Sequence, residues 1–128
     1  MPVKYLSQEW IDAYNAALAG DEAVRAAMKG KSATIQMVIS DAPEGEVRYW
    51  LRIADGGASA GLGDLDGPEV TIRQSYETSA QVNRGELDGQ KAFTQGKVKI
   101  TGKMMKMMQL QRPLAEVQKA LDTIDTEY

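Results

Sequence analysis

The 128-residue chain contains no cysteine and no histidine, and these two absences exclude several classes of chemistry. Without cysteine the chain cannot form disulfides, and without cysteine and histidine it cannot form zinc fingers or Ser-His-Asp triads. Nucleophilic dyads that use cysteine or histidine, and haem sites ligated by these residues, are excluded for the same reason. Only 6% of its residues are aromatic, and no run reaches the roughly 18 consecutive apolar residues of a membrane span. No signal-peptide pattern opens the sequence. We therefore expect one cytoplasmic domain over residues 1–128, without a resident cofactor or metal.

The formal net charge is only -3, but the charges are unevenly distributed. Seven acids and two bases lie between Asp41 and Glu69, whereas six bases and no acid lie between Lys91 and Arg112. This pattern predicts a polarised molecule with one mildly basic flank. Nucleic-acid binding is not indicated, because the whole chain is acidic and the basic stretch contains a single aromatic residue, Phe93.

Hydrophobic periodicity divides the first half of the chain into helices and strands. Apolar residues at helical spacing predict two helices before residue 30, with Ser7 and Asp21 as N-caps and Gly20 and Gly30 at the ends. The period then changes to two, and alternation predicts strands at 33–39 and 47–53, joined by turn residues into an antiparallel hairpin. The turn Asp55-Gly56-Gly57 leads into a short, glycine-rich edge strand at 58–65.

The second half of the chain interrupts the strands with helices. A fourth strand is predicted at 69–73, then two helices capped by Ser75 and Asp88, then a fifth strand at 97–101 and two further helices. Three strands joined by tight turns form a meander, whereas helices between the fourth and fifth require a crossover. The sequence therefore predicts an α+β fold in which helices cover a mixed sheet.

The segment 103–110 is unusual because four of the seven methionines lie within it. At about 100° per residue these four side chains occupy one arc of about 160° on a helix. Such a face can pack on the sheet as ordinary core, or it can form a deformable wall for a flexible apolar ligand. A narrower apolar stripe on the last predicted helix similarly fits either a packed helix or a lid over a cavity, and its members are Leu114, Val117, Ala120, Leu121, Ile124 and Tyr128.

Signals for catalysis are weak. The carboxylate pairs Asp64 with Asp66 and Glu86 with Asp88 sit beside glycines, as helix caps and turn residues do. The glycine-rich stretch at 55–63 lacks the lysine of a phosphate-binding loop and leads into a strand. The residues thus provide no catalytic candidate.

Two stretches resemble the sterol carrier protein type two, or nonspecific lipid-transfer, domain family. The first is 66–72, and the more specific one is 85–104. The second stretch combines, in order and without gaps, Gly-Glu-Leu-Asp at a helix junction, Lys-Ala-Phe in a helix and Gly-Lys-Val-Lys-Ile-Thr-Gly in a strand. A looser similarity extends over 31–112.

This resemblance implies a five-stranded mixed sheet in the order 3-2-1-4-5, helices on one face, and an apolar tunnel for fatty acyl chains, fatty acyl-CoA or sterols. It implies a free-standing prokaryotic-type member that performs no covalent chemistry and carries a long-chain fatty acid derivative. The ligand contacts expected from it are Met104, Met105, Met108, Phe93, Ile100 and Leu121. The lysines expected to meet the head group or an anionic membrane are Lys97, Lys99, Lys103 and Lys106. The alternative is a protein-interaction or dimerisation module with a closed core; the oligomeric state is left open.

Overall fold

The structure is a computed structural model that describes residues 2–54 and 56–128. Asp55, in the predicted turn, lies outside the described residues. The helices are α1 Gln8–Ala19, α2 Glu22–Met28, α3 Tyr76–Asn83, α4 Gly89–Thr94, α5 Met104–Gln109 and α6 Gln111–Leu121. The strands are β1 Val3–Lys4, β2 Ala33–Ser40, β3 Val47–Ala54, β4 Gly57–Leu62, β5 Val70–Ser75, β6 Val98–Gly102 and β7 Thr126–Glu127.

Five strands form one mixed sheet in the order β4-β3-β2-β5-β6. The pairs β2/β3, β3/β4 and β5/β6 are antiparallel, while β2/β5 is parallel. Counted along the sheet's own strands this is the order 3-2-1-4-5, so the predicted α+β architecture is confirmed. The strands β1 and β7 form a separate parallel pair that the sequence did not predict, because two residues are too few to show alternation.

The predicted helix caps form the expected hydrogen bonds. Ser7 Oγ accepts from the backbone N–H of Trp10 at 3.2 Å, and Asp21 Oδ1 accepts from that of Val24 at 3.1 Å. Ser75 and Asp88 cap α3 and α4 in the same way. Each bond satisfies an amide that the first helical turn leaves without a partner, which is why these helices begin where the sequence predicts.

The core lies between one face of the sheet and α1. Four side chains of α1 at helical spacing are almost completely buried: Trp10, Ile11, Tyr14 and Leu18. The sheet contributes alternate residues of β2 and β3 to this core, including the buried Ile35 and Leu51 and the half-buried Met37. We call this side of the sheet the inner face, and the side that carries Arg48, Trp50 and Arg52 the outer face.

The end of β6 fixes the start of α5. Gly102 has φ +108°, in the region that favours glycine, and a Cβ there would overlap the Glu69 carbonyl. The Lys103 amide donates to the same carbonyl at 2.9 Å. This close approach turns the chain from the sheet edge into α5.

Candidate functional site

One row of inner-face residues is less completely covered than its neighbours. The register aligns Tyr49, Met37, Ile72 and Ile100 across four strands, so their side chains share a face. The Tyr49 ring lies 5.5 Å from the ring of Trp10 on α1, which identifies that face as the inner one. Met37, Ile72 and Ile100 are only partly buried, and we call these three residues the open row.

In the rows on either side of the open row the apolar side chains of β2, β5 and β6 are buried, and we call these rows closed. One row contains Ile35 and Val70, and the other contains Ile39 and Val98 with the half-buried polar Gln74 between them. The apolar surface left accessible on the inner face of β2, β5 and β6 is therefore concentrated in a single cross-strand row. With strands about 4.8 Å apart, the row from Tyr49 to Ile100 extends about 14 Å across the sheet.

Helix α5 exposes most of its methionines. Met105 and Met108 are 72% and 67% exposed, Met104 is 46% exposed, and only Met107 packs partly against the core. No residue of α5 is buried. We call Met104, Met105 and Met108 the methionine patch. The predicted common arc is thus divided, with one methionine turned inward and three outward.

The other predicted ligand residues lie on three further elements. Ile100 belongs to the open row, Phe93 is exposed on α4, and Leu121 is buried on α6. Two surface grooves of about 510 and 590 Å³ lie along α2, and neither is lined by the open row or the methionine patch. The structure therefore distributes the six predicted contacts among exposed, half-buried and buried positions.

The four predicted head-group lysines differ in their surroundings. Lys106 donates from Nζ to the Ser32 carbonyl at 2.8 Å and lies 3.6 Å from Glu69 Oε2, so it helps to hold α5 against the sheet. Lys103 lies 3.5 Å from the same carboxylate but is 69% exposed. Lys99 alternates with Ile100 on β6 and so lies on the outer face. Lys97 is exposed just before that strand.

An aromatic cluster adjoins the open row and was not predicted as a site. The Trp10 indole is edge-on to the rings of Tyr5, Tyr14 and Tyr49, with centroids 4.9, 5.2 and 5.5 Å away. Burial raises the pKa of all three phenols above the usual value of about 10, so they lose their protons only in strongly alkaline solution. Helical spacing puts Trp10 and Tyr14 on one face of α1, but nothing in that spacing shows that Tyr49 lies beside them.

The cluster also contains an unusual polar atom. Within the part of the chain that the structure describes, Trp10 Nε1 is buried and has no hydrogen-bond partner. Buried donors in proteins are nearly always paired. An indole nitrogen can only donate, so the missing partner would have to be an acceptor.

The acidic pairs behave as turn and cap residues. Asp64 pairs with Arg48 at 3.3 Å, Glu86 pairs with Arg84 at 3.0 Å, and Asp88 caps α4. Among residues 2–54 and 56–128, no cluster of three or more acidic residues is arranged to hold a metal ion. None of the described helices is both long and apolar enough to cross a membrane.

A sequence model of the SCP-2 sterol transfer family matches residues 14–115, which is most of the chain. The chain belongs to the SCP-2 sterol transfer family. The match includes the open row and the methionine patch, and it confirms the resemblance seen in the sequence. No protein among the curated sequences matches the chain significantly.

Solved structures show the same fold at low sequence identity. A crystal structure of sterol carrier protein 2 is 20% identical, with a TM-score of 0.80 over 94% of this chain and 99% of that one. A conserved hypothetical protein of Thermus thermophilus, described as possibly a sterol carrier protein, is 20% identical, with a TM-score of 0.79 over 98% and 92%. Palmitated SCP2L2 of Aedes aegypti is 15% identical, with a TM-score of 0.57 over 99% and 100%.

Membership of the SCP-2 family supports a role in lipid or sterol binding and transfer. The family is generally non-catalytic. Both points agree with a sequence and a structure whose candidate site consists of apolar side chains and lysines.

Proposed function

We propose that this protein binds a long-chain fatty acid, a fatty acyl-CoA or a similar lipid between the sheet and its helices, and transfers it without covalent chemistry. The observation that supports this most directly is the open row, a strip of partly covered apolar side chains between two closed rows. Each CH₂ group moved from water into such a site gains about 0.8 kcal/mol. A long acyl chain therefore has a large driving force to enter.

The methionine patch is the proposed place of entry for the lipid. Exposed apolar surface next to a partly open core is typical of ligand or membrane contact. Methionine side chains are unbranched and polarizable, so they adapt to a moving chain with little loss of contact. We propose that Met104, Met105 and Met108 contact the lipid as it enters, and that Phe93, Ile100 and Leu121 contact it further along.

The exposed lysines supply the electrostatic part of the proposal. Lys103 directly precedes the methionine patch and retains most of its exposure despite its contact with Glu69. An exposed ion pair of this kind contributes little, so the ammonium can exchange its partner for a lipid head group or an anionic membrane in the cytoplasm. Lys97 adds positive charge just before β6. We assign Lys99 and Lys106 supporting roles, because Lys99 lies on the outer face and Lys106 already contacts Ser32 and Glu69.

Ligand binding is tested by filling the open row. We expect Ile72→Phe to lower the affinity for a fluorescent fatty acid about tenfold, because the added ring occupies the space proposed for the chain. Thr71→Phe is the matched control, since it adds a ring at the next position of β5, on the outer face. Titration of both variants, with thermal unfolding to verify folding, provides the comparison. If the unmodified protein binds no fatty acid at micromolar concentrations, the proposal is wrong.

Membrane contact is tested by reversing one exposed charge. Lys103→Glu should slow lipid transfer to anionic vesicles more than to neutral vesicles. Lys4→Glu is a close control, because Lys4 is 63% exposed and, like Lys103, lies 3.5 Å from a carboxylate. Equal slowing of Lys103→Glu on both kinds of vesicle would reject the electrostatic contribution.

The second candidate function is a protein-interaction or dimerisation module. The exposure of Met105 and Met108 favours this candidate, since the same patch could pack against a second protein. It predicts a complex that survives dilution to micromolar concentration in sedimentation experiments and is lost in Met105→Ser. A monomer that binds lipid would decide for the first function.

A further inference from the structure

The indole nitrogen of Trp10 is a buried polar atom among mainly apolar side chains. Trp10 is 1% exposed, and its Nε1 finds no acceptor within the described residues. An unpaired donor in a core is costly unless something else satisfies it. In a lipid-binding protein, an oxygen of the ligand is a natural candidate for that partner.

The surroundings of the indole determine which kind of oxygen fits. Its ring neighbours are the phenols of Tyr5, Tyr14 and Tyr49, which are uncharged at neutral pH as phenols ordinarily are. The Tyr5 hydroxyl is already engaged by Ser79 Oγ. Neutral donors suit a hydroxyl or keto oxygen, whereas a buried carboxylate would require a cation or several strong donors.

The open row connects this point to the lipid site. Tyr49 contacts Trp10 and lies beside Met37 in the cross-strand row that continues through Ile72 and Ile100. An acyl chain that lies along this row and enters from the β6 edge would reach the aromatic cluster with its far end. The part of the ligand that meets Trp10 is thus the buried part, away from Lys103.

Building on the proposed lipid-binding function, we propose that Trp10 Nε1 donates a hydrogen bond to an uncharged oxygen on the buried part of the ligand. The preferred ligand class is therefore an acyl lipid with a hydroxyl or keto group far from its carboxyl end. The carboxylate remains outside near Lys103, and the oxygen at the other end reaches the aromatic cluster. Tyr14 and Tyr49 line this position as neutral side chains.

The test compares two ligands that differ by one oxygen, hexadecanoic acid and 15-oxohexadecanoic acid. We expect the keto acid to bind about tenfold more tightly in displacement titrations, because it satisfies the buried donor. Trp10→Phe retains an aromatic ring but removes the N–H, so the ratio of the two affinities should fall to one or below. The ratio is informative even if the variant weakens both ligands.

A second measurement avoids changing the core. In Trp50→Phe, which alters only the outer face, Trp10 is the single remaining indole, and its N–H gives one resolved NMR signal. The keto acid should shift this signal downfield, and hexadecanoic acid should not. If both acids bind without a preference and without this shift, the inference is overturned while the proposed function stands. If neither acid binds, the proposed function fails and the inference with it.

Discussion

The two edges of the sheet are covered in different ways. At the β4 edge, α1 buries four large side chains, and Asn15 bonds both the N–H and the carbonyl of Ala60, at 2.8 and 2.9 Å. At the β6 edge α4 packs along the strand, and α5, which follows the end of β6, lies against β5 and α6. Helix α5 has no buried residue and no side-chain cap, and it is held mainly by Gly102, Lys106 and Met107. The first edge is densely packed, and the second leaves apolar surface accessible.

The comparison also separates two uses of apolar side chains. Near β4 they fill space, and dense packing there makes every methylene group contribute to stability. Near β6 they retain accessible surface, so each of them contributes less to the stability of the folded protein. The proposed lipid-binding function would use both regions, because the densely packed part of the core supplies the stability that the more open part lacks.

The largest expected effect contrasts a closed row with the open row. Leu51→Ala should lower the free energy of unfolding by about 3 kcal/mol, because the side chain is 3% exposed and its loss leaves a cavity. Ile72→Ala should cost only about 1 kcal/mol, since its site is already partly open. Urea unfolding of both variants measures the difference. Equal losses would show that the open row is as tightly packed as the rest of the core.

The next largest effect is the pH dependence of stability that arises from the buried phenols of Tyr14 and Tyr49. Burial raises the pKa of Tyr14 and Tyr49 in the folded protein above 10, the value of a free phenol. The unfolded chain therefore loses these protons first, so their contribution to stability is complete below pH 10 and decreases as the pH rises further. The decrease should be about 1.4 kcal/mol per pH unit for each phenol.

Unfolding by urea between pH 8 and 12 measures this dependence. Tyr14→Phe should make the decrease above pH 10 less steep, because one titrating group is removed. A slope that does not respond to Tyr14→Phe would mean that this phenol is accessible to water in the folded protein.

Most of the fold could be predicted from the sequence because its signals are local. Ser7, Asp21, Ser75 and Asp88 were identified as caps from their positions before apolar helical patterns, and each forms the expected bond. Period-two alternation located the strands of the main sheet. Strand order depends on long-range pairing, and it became predictable only through the resemblance to a family.

The candidate site was less predictable because exposure depends on what lies above each residue. Periodicity showed that Met104 to Met108 belong to one helix, but it could not show that only Met107 faces the core. The open row depends on the register of β2, β5 and β6, which no local pattern specifies. The unpaired Trp10 nitrogen follows from packing among three distant segments, so it could be found only in the structure.

The smallest expected effect concerns the methionine patch, where it separates the two functional hypotheses. If these methionines filled a closed core, Met108→Ala would cost about 2 to 4 kcal/mol. Because Met108 is 67% exposed, we expect a loss below about 0.5 kcal/mol in urea unfolding, together with weaker binding or slower transfer of fatty acid. Leu62→Ala, at an exposed position on the opposite sheet edge, is the control and should leave both properties almost unchanged. A large loss of stability in Met108→Ala alone would mean that α5 closes over the sheet in solution, and the β6 edge would then resemble the β4 edge.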